Sequence, residues 1–303
     1  MEFESEVIEF LSALKPGTSA TYSHALKAFQ NFYSKQGTIK DFLLRVEEDL
    51  RRARLEKKRV ARTNLNAFIN WLQYRGYSPK TIRTYVGAVQ SLAKYFDISI
   101  SLRYVNLPAS QPVTKKHSWT VKEVGEFVDS IENLCYKSIA ASIFQSGLSL
   151  SDLLSLTYSD IREELEKDIT PLCLDLARKK TSVPFMTFLG KWAVSLLKKH
   201  LANKHLTDKT RIYNVSERAV DNYFAKHARK FAGKYKGRNP YSPHTLRAAF
   251  RTVLSDHKVD PLFIEFWMGH KVAEQQRVYI SKSKEGWRKT YHEQAEPWLT
   301  PQK

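Results

Sequence analysis

The sequence predicts a mainly α-helical protein that contains a small β-hairpin and divides into two domains. Apolar residues recur at helical spacing through most of the first hundred residues, which predicts a helical domain at 1–106. A stretch with two prolines and no periodicity follows at 107–117 and is typical of a linker. The remainder, 118–303, combines helical patterns with one pair of β-rich runs, which predicts a mixed α+β domain.

Four segments of the first domain have the pattern of an amphipathic helix. In the first, Tyr22, Leu26 and Phe29 recur at helical spacing and fall on one face. The fourth begins with a serine and a proline, which favour the N-cap and the first helical position. Lys80 and Arg83 lie outside its apolar stripe; each alone is typical of a solvated face, but the basic residues together predict a surface for a polyanion. The predicted helices are 18–37, 39–55, 60–76 and 78–96.

The second domain is predicted to contain several helices and one hairpin. The segment 171–190 has β-rich runs on both sides of a polar centre, which is the pattern of a hairpin. That polar centre contains Arg178, Lys179 and Lys180. Helical periodicity covers 119–133, 137–147, 190–204, 216–233, 242–250 and 260–270.

The chain is strongly basic, with 49 lysine and arginine residues against 31 acidic residues and a formal net charge of +18. This balance predicts a polyanionic partner, and nucleic acid is the commonest polyanion. An anionic membrane is the alternative, but no apolar run is long enough to span a bilayer. The acidic start of the sequence lacks the features of a secretory signal. We therefore expect a protein that binds nucleic acid rather than a membrane.

The use of cysteine is typical of a reducing compartment. Cys135 and Cys173 are the two cysteines, with no CxxC motif and no histidine cluster nearby. This pattern predicts two buried thiols, and it predicts neither a disulfide framework nor a zinc site.

The segment SPHTLRAAF (242–250) places two cationic side chains at the start of a predicted helix. Ser242 suits the N-cap, and Pro243 suits the first helical position. His244 and Arg247 then share one face, because residues three apart are neighbours on a helix. The helix N-terminus itself attracts anions. An isolated pair of this kind is usually a solvated turn, so its meaning depends on the rest of the chain.

Three further features accompany this pair. A Gly-His dipeptide ends the predicted helix 260–270, and Tyr279 follows His270 by nine residues. The hairpin supplies Lys180, and the segment SGLSLSDLL (146–154) precedes the hairpin. In order and spacing, these features resemble the tyrosine recombinases, the phage-integrase and Xer family. The resemblance covers nearly the whole chain and is strongest from 140 to 280.

The family pattern consists of an arginine in a Gly-Leu-Arg helix, a lysine in a β-hairpin, a His-x-x-Arg motif, a Gly-His or Gly-Trp pair and a tyrosine. Lys180, His244, Arg247, His270 and Tyr279 fit this pattern in order and spacing. The resemblance implies a core-binding domain before the linker and a tyrosine-recombinase catalytic domain with a C-terminal tail after it. It also implies the integrase of a mobile element, for which an archaeal or viral source is one option.

The reaction that the resemblance implies is DNA cleavage through a 3′-phosphotyrosine intermediate, with Tyr279 as the nucleophile. Arg247 would clamp two phosphate oxygens, while His244 and His270 would donate hydrogen bonds or move a proton. Lys180 would protonate the leaving 5′ oxygen. This chemistry implies no metal and no cofactor.

Ser149 stands where the family pattern has its first arginine, after Gly147 and Leu148. A serine supplies no fixed positive charge, and loss of such a donor typically costs about 10²–10³ in rate. Three explanations are open: Arg178 fills the place, this branch of the family works without the arginine, or the protein binds DNA without cutting it. A type IB topoisomerase is a further alternative, because it uses the same nucleophile chemistry.

Several other side chains have two interpretations. Lys179 is the alternative to Lys180 as the catalytic lysine. Tyr291 is a weaker rival of Tyr279 as the nucleophile and fits packing in a C-terminal helix better. The predicted DNA contacts outside the catalytic set are Arg178, Lys179, Arg251, Lys80 and Arg83.

The resemblance implies double-stranded DNA as the partner and a homotetramer at the synapse, with a monomer or dimer when free. It implies no membrane and no small-molecule substrate, and it favours a location in the cytoplasm. The aromatic residues Trp287, Tyr291 and Trp298 can anchor the C-terminal tail either on a neighbouring protomer or on its own domain. The sequence leaves both possibilities open.

Overall fold

The protein, described here by a computed structural model, divides into two compact units, Met1–Lys115 and Lys116–Lys303. Each unit has its own hydrophobic core. The predicted linker at 107–117 stays a prediction, because most of it lies outside the described residues. No helix in the described ranges combines the length and the apolar character needed to cross a membrane. The described residues are 3–109, 117–179, 181–233, 239–273 and 280–302.

The first unit consists of helices around an aromatic core. Phe29 makes edge-on contacts with Phe42 and Phe68, at ring-centroid distances of 5.0 and 5.1 Å. The four predicted helices are present, preceded by a short helix that the sequence reasoning did not identify. The second of the four, predicted at 39–55, ends at Arg51, because Arg52 takes an extended backbone conformation. The helices are α1 (Ser5–Ser12), α2 (Pro16–Tyr33), α3 (Ile39–Arg51), α4 (Val60–Tyr74) and α5 (Pro79–Tyr95).

The second unit is also mainly helical and contains the predicted hairpin. Its helices are α6 (Val121–Ser130), α7 (Leu134–Ser146), α8 (Leu150–Leu153), α9 (Arg162–Glu166), α10 (Lys191–Leu201), α11 (Glu217–Ala232), α12 (Pro243–Asp256), α13 (Pro261–Trp267) and α14 (Lys284–Gln294). All residues of α7 from Ser138 onward are buried, because α10, α12 and the hairpin pack around it. This central helix carries the elements that position the site.

Gly147 ends α7 and allows α12 to approach closely. Its φ of +64° lies in the left-handed region, and a Cβ atom here would lie 2.6 Å from the ring of Phe250. Glycine alone avoids both the strain and the collision. The contact places Arg247, on the same helix as Phe250, beside the C-terminal end of α7.

The hairpin consists of β1 (Leu172–Ala177) and β2 (Pro184–Leu189), which confirms the hairpin prediction. The strands are antiparallel, and Ala177 pairs with Pro184 at the turn end. Arg178 begins the connection, and its carbonyl oxygen accepts a hydrogen bond from the Ser182 N–H at 2.7 Å. The turn therefore starts with Arg178, whose backbone is fixed by hydrogen bonds.

The C-terminal tail packs on its own unit, which is the second of the two possibilities left by the sequence. Trp287 and Tyr291 of α14 are fully buried there. The Tyr291 hydroxyl donates to the carbonyl oxygen of Gln145 in α7 at 2.6 Å. Trp298 is partly exposed and stacks on His257, with ring centroids 4.0 Å apart.

Candidate active site

The helix α12 begins where the sequence predicts and carries His244 and Arg247 in its first two turns. Ser242 and Thr245 form a reciprocal capping box, and Pro243 occupies the first turn. The helix directs the two cationic side chains differently: His244 is exposed, whereas Arg247 is only 8% exposed. The candidate site therefore has a buried positive charge behind a surface histidine.

Arg247 is held by the carbonyl ends of two other helices. Its Nη1 donates to the carbonyl oxygen of Gly147, and its Nη2 donates to that of Met268 at 2.8 Å. The Nη2 atom also lies 3.0 Å from Nε2 of His270. A guanidinium has five N–H donors, and these contacts use three of them. Within the described part of the chain, the other two donors have no hydrogen-bond acceptor.

In the described part of the chain, Arg247 makes no ion pair with a carboxylate. Burial, reinforced by the nearby Arg178, lowers the pKa of Arg247 to about 10, although Asp152 and Glu265 act in the opposite direction. Among the described residues, no carboxylate accepts a hydrogen bond from it. The group is therefore protonated at neutral pH, and among the described residues its hydrogen bonds go to backbone carbonyl oxygens and an imidazole.

His270 connects Arg247 to an acidic residue. Its Nδ1 is bonded to the carboxylate of Glu265, which also pairs with Arg251 at 2.7 Å. Because a guanidinium can only donate, we infer that Nε2 of His270 accepts from Arg247 and that Nδ1 carries the proton. In the free protein, His270 thus orients Arg247. Its predicted role as a donor to phosphate stays a prediction.

Ser149 brings no charge to the site. Its hydroxyl caps α8 and donates to the buried carboxylate of Asp152 at 2.6 Å. The same carboxylate accepts from the backbone N–H of Lys179 at 3.0 Å. The position of the missing arginine is therefore occupied by a hydroxyl group that binds Asp152.

Arg178 is not a solvated side chain. It is 16% exposed, and its Nε lies 3.5 Å from Oδ2 of Asp152. Its Nη1 donates to the carbonyl oxygen of Met268 at 3.1 Å, which is the same oxygen that Arg247 binds. The structure thus brings the hairpin arginine to the predicted Arg247 site.

The remaining predicted residues are only partly described. Lys180 and Tyr279 lie outside the described residues, so their roles remain predictions. Lys179 is exposed at the hairpin turn. The DNA contact predicted for Arg251 stays a prediction; in the free protein its guanidinium pairs with Glu265.

The two basic residues predicted in the first unit are on its surface. Lys80 and Arg83 are exposed on α5, and Nε of Arg83 donates to the carbonyl oxygen of Pro108 at 2.7 Å. Both side chains remain accessible to a polyanion, and their DNA contacts stay predictions.

The sequence reasoning missed two acidic residues that organise the site. Asp152 binds Ser149 and Arg178, and Glu265 binds His270 and Arg251. A weak signal exists for each: Asp152 lies three residues after Ser149, and Glu265 lies in α13 five residues before His270. Neither spacing is specific without the fold.

A mainly helical unit in which a buried arginine contacts no carboxylate among the described residues is suited to bind an anion. The model of the phage integrase family matches residues 118–285, which is more than half of the chain. The chain belongs to this family. It is a site-specific tyrosine recombinase.

Relatives and solved structures agree with this assignment. Tyrosine recombinase XerD of Rickettsia bellii is 24% identical over 308 residues, covering 92% of this chain and 93% of that protein. A dimer of lambda integrase (75–356) bound to a COC′ core site is similar at a TM-score of 0.61 and 17% identity, covering 91% of this chain and 97% of that chain. A lambda integrase tetramer bound to a Holliday junction has a TM-score of 0.59 at 15% identity, covering 91% and 76%. The fold is shared with these integrases.

Proposed function

We propose that this chain cuts and rejoins double-stranded DNA through a 3′-phosphotyrosine intermediate at Tyr279. The observation that carries the proposal is the buried Arg247, which is protonated, lacks a carboxylate partner and keeps two N–H donors free among the described contacts. A bound phosphate would stabilise such a buried guanidinium, because the phosphate supplies a negative charge and hydrogen-bond acceptors. The net charge of +18 favours a polyanion as the source of that phosphate.

The proposed reaction is a transesterification. The phenolic oxygen of Tyr279 attacks the scissile phosphorus, and the bond from phosphorus to the 5′ oxygen breaks. His244 accepts the phenolic proton, and Lys180 donates a proton to the leaving 5′ oxygen. Arg247 binds the non-bridging oxygens, on which negative charge develops. Attack by the 5′ hydroxyl of another strand reverses these steps, so the reaction needs no external energy source.

The proposed assembly is a homotetramer at the synapse and a monomer or dimer when free. Lambda integrase, which shares the fold, has been crystallised as a dimer on a core site and as a tetramer on a Holliday junction. We place the protein in the cytoplasm, acting on a chromosome as the integrase of a mobile element. Lys179, Arg251, Lys80 and Arg83 would contact the DNA backbone, where each contributes to salt-dependent affinity.

The environment of Tyr291 argues against a role as the nucleophile. It is fully buried, and its hydroxyl is bonded to a backbone carbonyl oxygen. Burial raises its pKa well above the usual value, which opposes formation of a phenolate. Tyr279 therefore remains the proposed nucleophile.

The test is capture of the covalent intermediate. Wild-type protein is incubated with fragmented genomic DNA, denatured in detergent, and the DNA that stays attached is sequenced. We expect recurrent ends that define a site, and a proteolytic peptide of the adduct that contains Tyr279. The Tyr279→Phe variant should give no adduct, while Tyr291→Phe should still give one. If the wild-type protein binds DNA but forms no adduct with any fragment, the chain is a DNA-binding relative that does not cut.

A further inference from the structure

We propose that Arg178 takes the place of the arginine missing at Ser149, and that it binds the scissile phosphate together with Arg247. The inference rests on the proposed function and names a second phosphate-binding residue for it. Three independent observations in the second unit support it.

The first observation is convergence. Arg178 and Arg247 donate to one and the same carbonyl oxygen, that of Met268, at 3.1 and 2.8 Å. Two guanidinium groups this close repel each other, and Arg178 is among the causes that lower the pKa of Arg247. One carbonyl dipole does not neutralise two positive charges. An anion between the two groups would relieve the repulsion, and a phosphate offers enough acceptor oxygens for both.

The second observation is the anchor of Arg178. Asp152 lies three residues after Ser149, where its carboxylate would be the local partner of an arginine at that position. With serine there, the carboxylate accepts the Ser149 hydroxyl and pairs with Nε of Arg178 at 3.5 Å. The backbone N–H of Lys179 donates a hydrogen bond to the same carboxylate, which fixes the backbone beside Arg178. One carboxylate thus contacts both Ser149 and Arg178, so the hairpin arginine lies next to the position where the family pattern has its first arginine.

The third observation is the space kept for the side chain. Gly269 has a φ of +66°, and a Cβ atom there would lie 2.7 Å from Cδ and 2.8 Å from Cγ of Arg178. Any larger residue would push the Arg178 side chain away from Met268. The glycine before His270 thus gives the hairpin arginine its path into the site.

The alternative role of Arg178 is to hold the hairpin against α8 and α13 without touching the substrate. The two roles differ in their response to the charge of the phosphate. A phosphate-binding arginine matters less when the scissile group is neutral, whereas a residue that only holds the hairpin matters equally for both substrates.

The experiment uses nicked duplexes that carry the captured site, with either a phosphate or a methylphosphonate at the scissile position. On phosphate, we expect Arg178→Ala to slow adduct formation by about 10²–10³, with DNA affinity nearly unchanged. Arg178→Lys keeps the positive charge but loses the planar guanidinium. The rate of adduct formation should therefore fall less, by about tenfold. On methylphosphonate, the Arg178→Ala deficit should shrink to less than about tenfold, because less negative charge develops there.

Arg162→Ala is the matched control, because Arg162 also pairs with an aspartate, Asp208 at 2.6 Å, but on an exposed surface. It should form adducts within about twofold of the wild-type rate. Thermal unfolding checks that each variant is folded. If Arg178→Ala proves unfolded, the comparison of Arg178→Lys on the two substrates decides in its place.

Equal deficits on both substrates, or wild-type rates for the Arg178 variants, would overturn the inference and leave the proposed function intact. Absence of any adduct with the wild-type protein would remove the proposed function, and the inference with it. A further expected result is rescue: Ser149→Arg should restore at least part of the rate in the Arg178→Ala background.

Discussion

In the second unit Arg247 is buried and Arg288 is half-buried, and their positive charges have different partners. Arg288 donates to both carboxylate oxygens of Glu164, at 2.8 and 3.0 Å, and to Glu285 at 3.0 Å. These contacts, with the Glu164 hydrogen bond first, raise its pKa above the usual value. Arg247 contacts two carbonyl oxygens and an imidazole, and burial lowers its pKa to about 10.

The difference separates an arginine that serves the fold from one that is kept for a substrate. Arg288 is neutralised in the free protein, and through Glu164, which also accepts the Cys173 N–H, it fastens α14 to β1. Burial of the Arg247 charge is energetically unfavourable, and a bound anion would offset this desolvation free energy. Removing Arg247 should therefore cost activity, and removing Arg288 should cost stability.

Arg247→Met gives the largest expected effect. We expect adduct formation to fall by about 10³ or more, because the phosphate loses its bidentate partner. The free energy of unfolding should change by less than about 1 kcal/mol, since a poorly compensated buried charge is replaced by an apolar side chain of similar length. Adduct kinetics and urea denaturation measure the two quantities. A large loss of stability together with wild-type cleavage would reverse the comparison.

Arg288→Met should show the opposite behaviour. The free energy of unfolding should fall by about 3 kcal/mol, because Glu164 is left buried with only part of its partners. Folded protein at low temperature should still bind and cleave DNA. The measurement is urea denaturation beside an adduct assay well below the unfolding transition, and unchanged stability would contradict the structural role of Arg288.

Glu164→Gln tests the same ion-pair network through pH. Burial alone would raise the pKa of Glu164, but hydrogen bonds from Arg288, Lys284 and the Cys173 N–H outweigh it and lower the pKa to about 2. The folded carboxyl thus binds its proton at lower pH than the unfolded one, with its usual value of 4.5. The wild-type advantage in unfolding free energy, about 2 kcal/mol at neutral pH, should therefore be constant above pH 4.5 and decline as the pH falls toward 2. An advantage that persists unchanged in acid would refute this assignment.

Inorganic phosphate should produce the smallest effect. At a concentration near its dissociation constant, it should raise the unfolding temperature of the wild-type protein by about 1–2 °C, compared with chloride at equal ionic strength. The increase in unfolding temperature should be smaller in Arg247→Met, because this variant lacks the guanidinium that we expect to bind phosphate. Differential scanning calorimetry measures both. Equal increases in the two proteins would show that phosphate binds elsewhere.

The sequence predicted those parts of the site that depend on local pattern. The start of α12 follows from Ser242 and Pro243, and the hairpin follows from two β-rich runs around a polar turn. Capping and strand signals act over a few residues, so they are visible without a fold. The different exposure of His244 and Arg247 on that helix was not visible from their spacing.

The long-range contacts could not be predicted in this way. Arg178 meets Arg247 at the carbonyl oxygen of Met268 only because α7, α12, α13 and the hairpin pack together. The acceptor role of His270 depends on its contact with Glu265. That contact can be recognised only when the three-dimensional position of the end of α13 is known. The packing partner of Trp287 and Tyr291 could not be predicted from the sequence, because an aromatic side chain can pack equally well on its own domain or on a neighbouring protomer.

The most direct test is a crystal structure of the Tyr279→Phe variant bound to a duplex that carries the captured site. We predict that non-bridging oxygens of the scissile phosphate lie about 3 Å from guanidinium nitrogens of both Arg247 and Arg178, with residue 279 facing the phosphorus. A complex in which both arginines bind only protein carbonyl groups, and in which the phosphate nearest to residue 279 lies beyond their reach, would contradict the account.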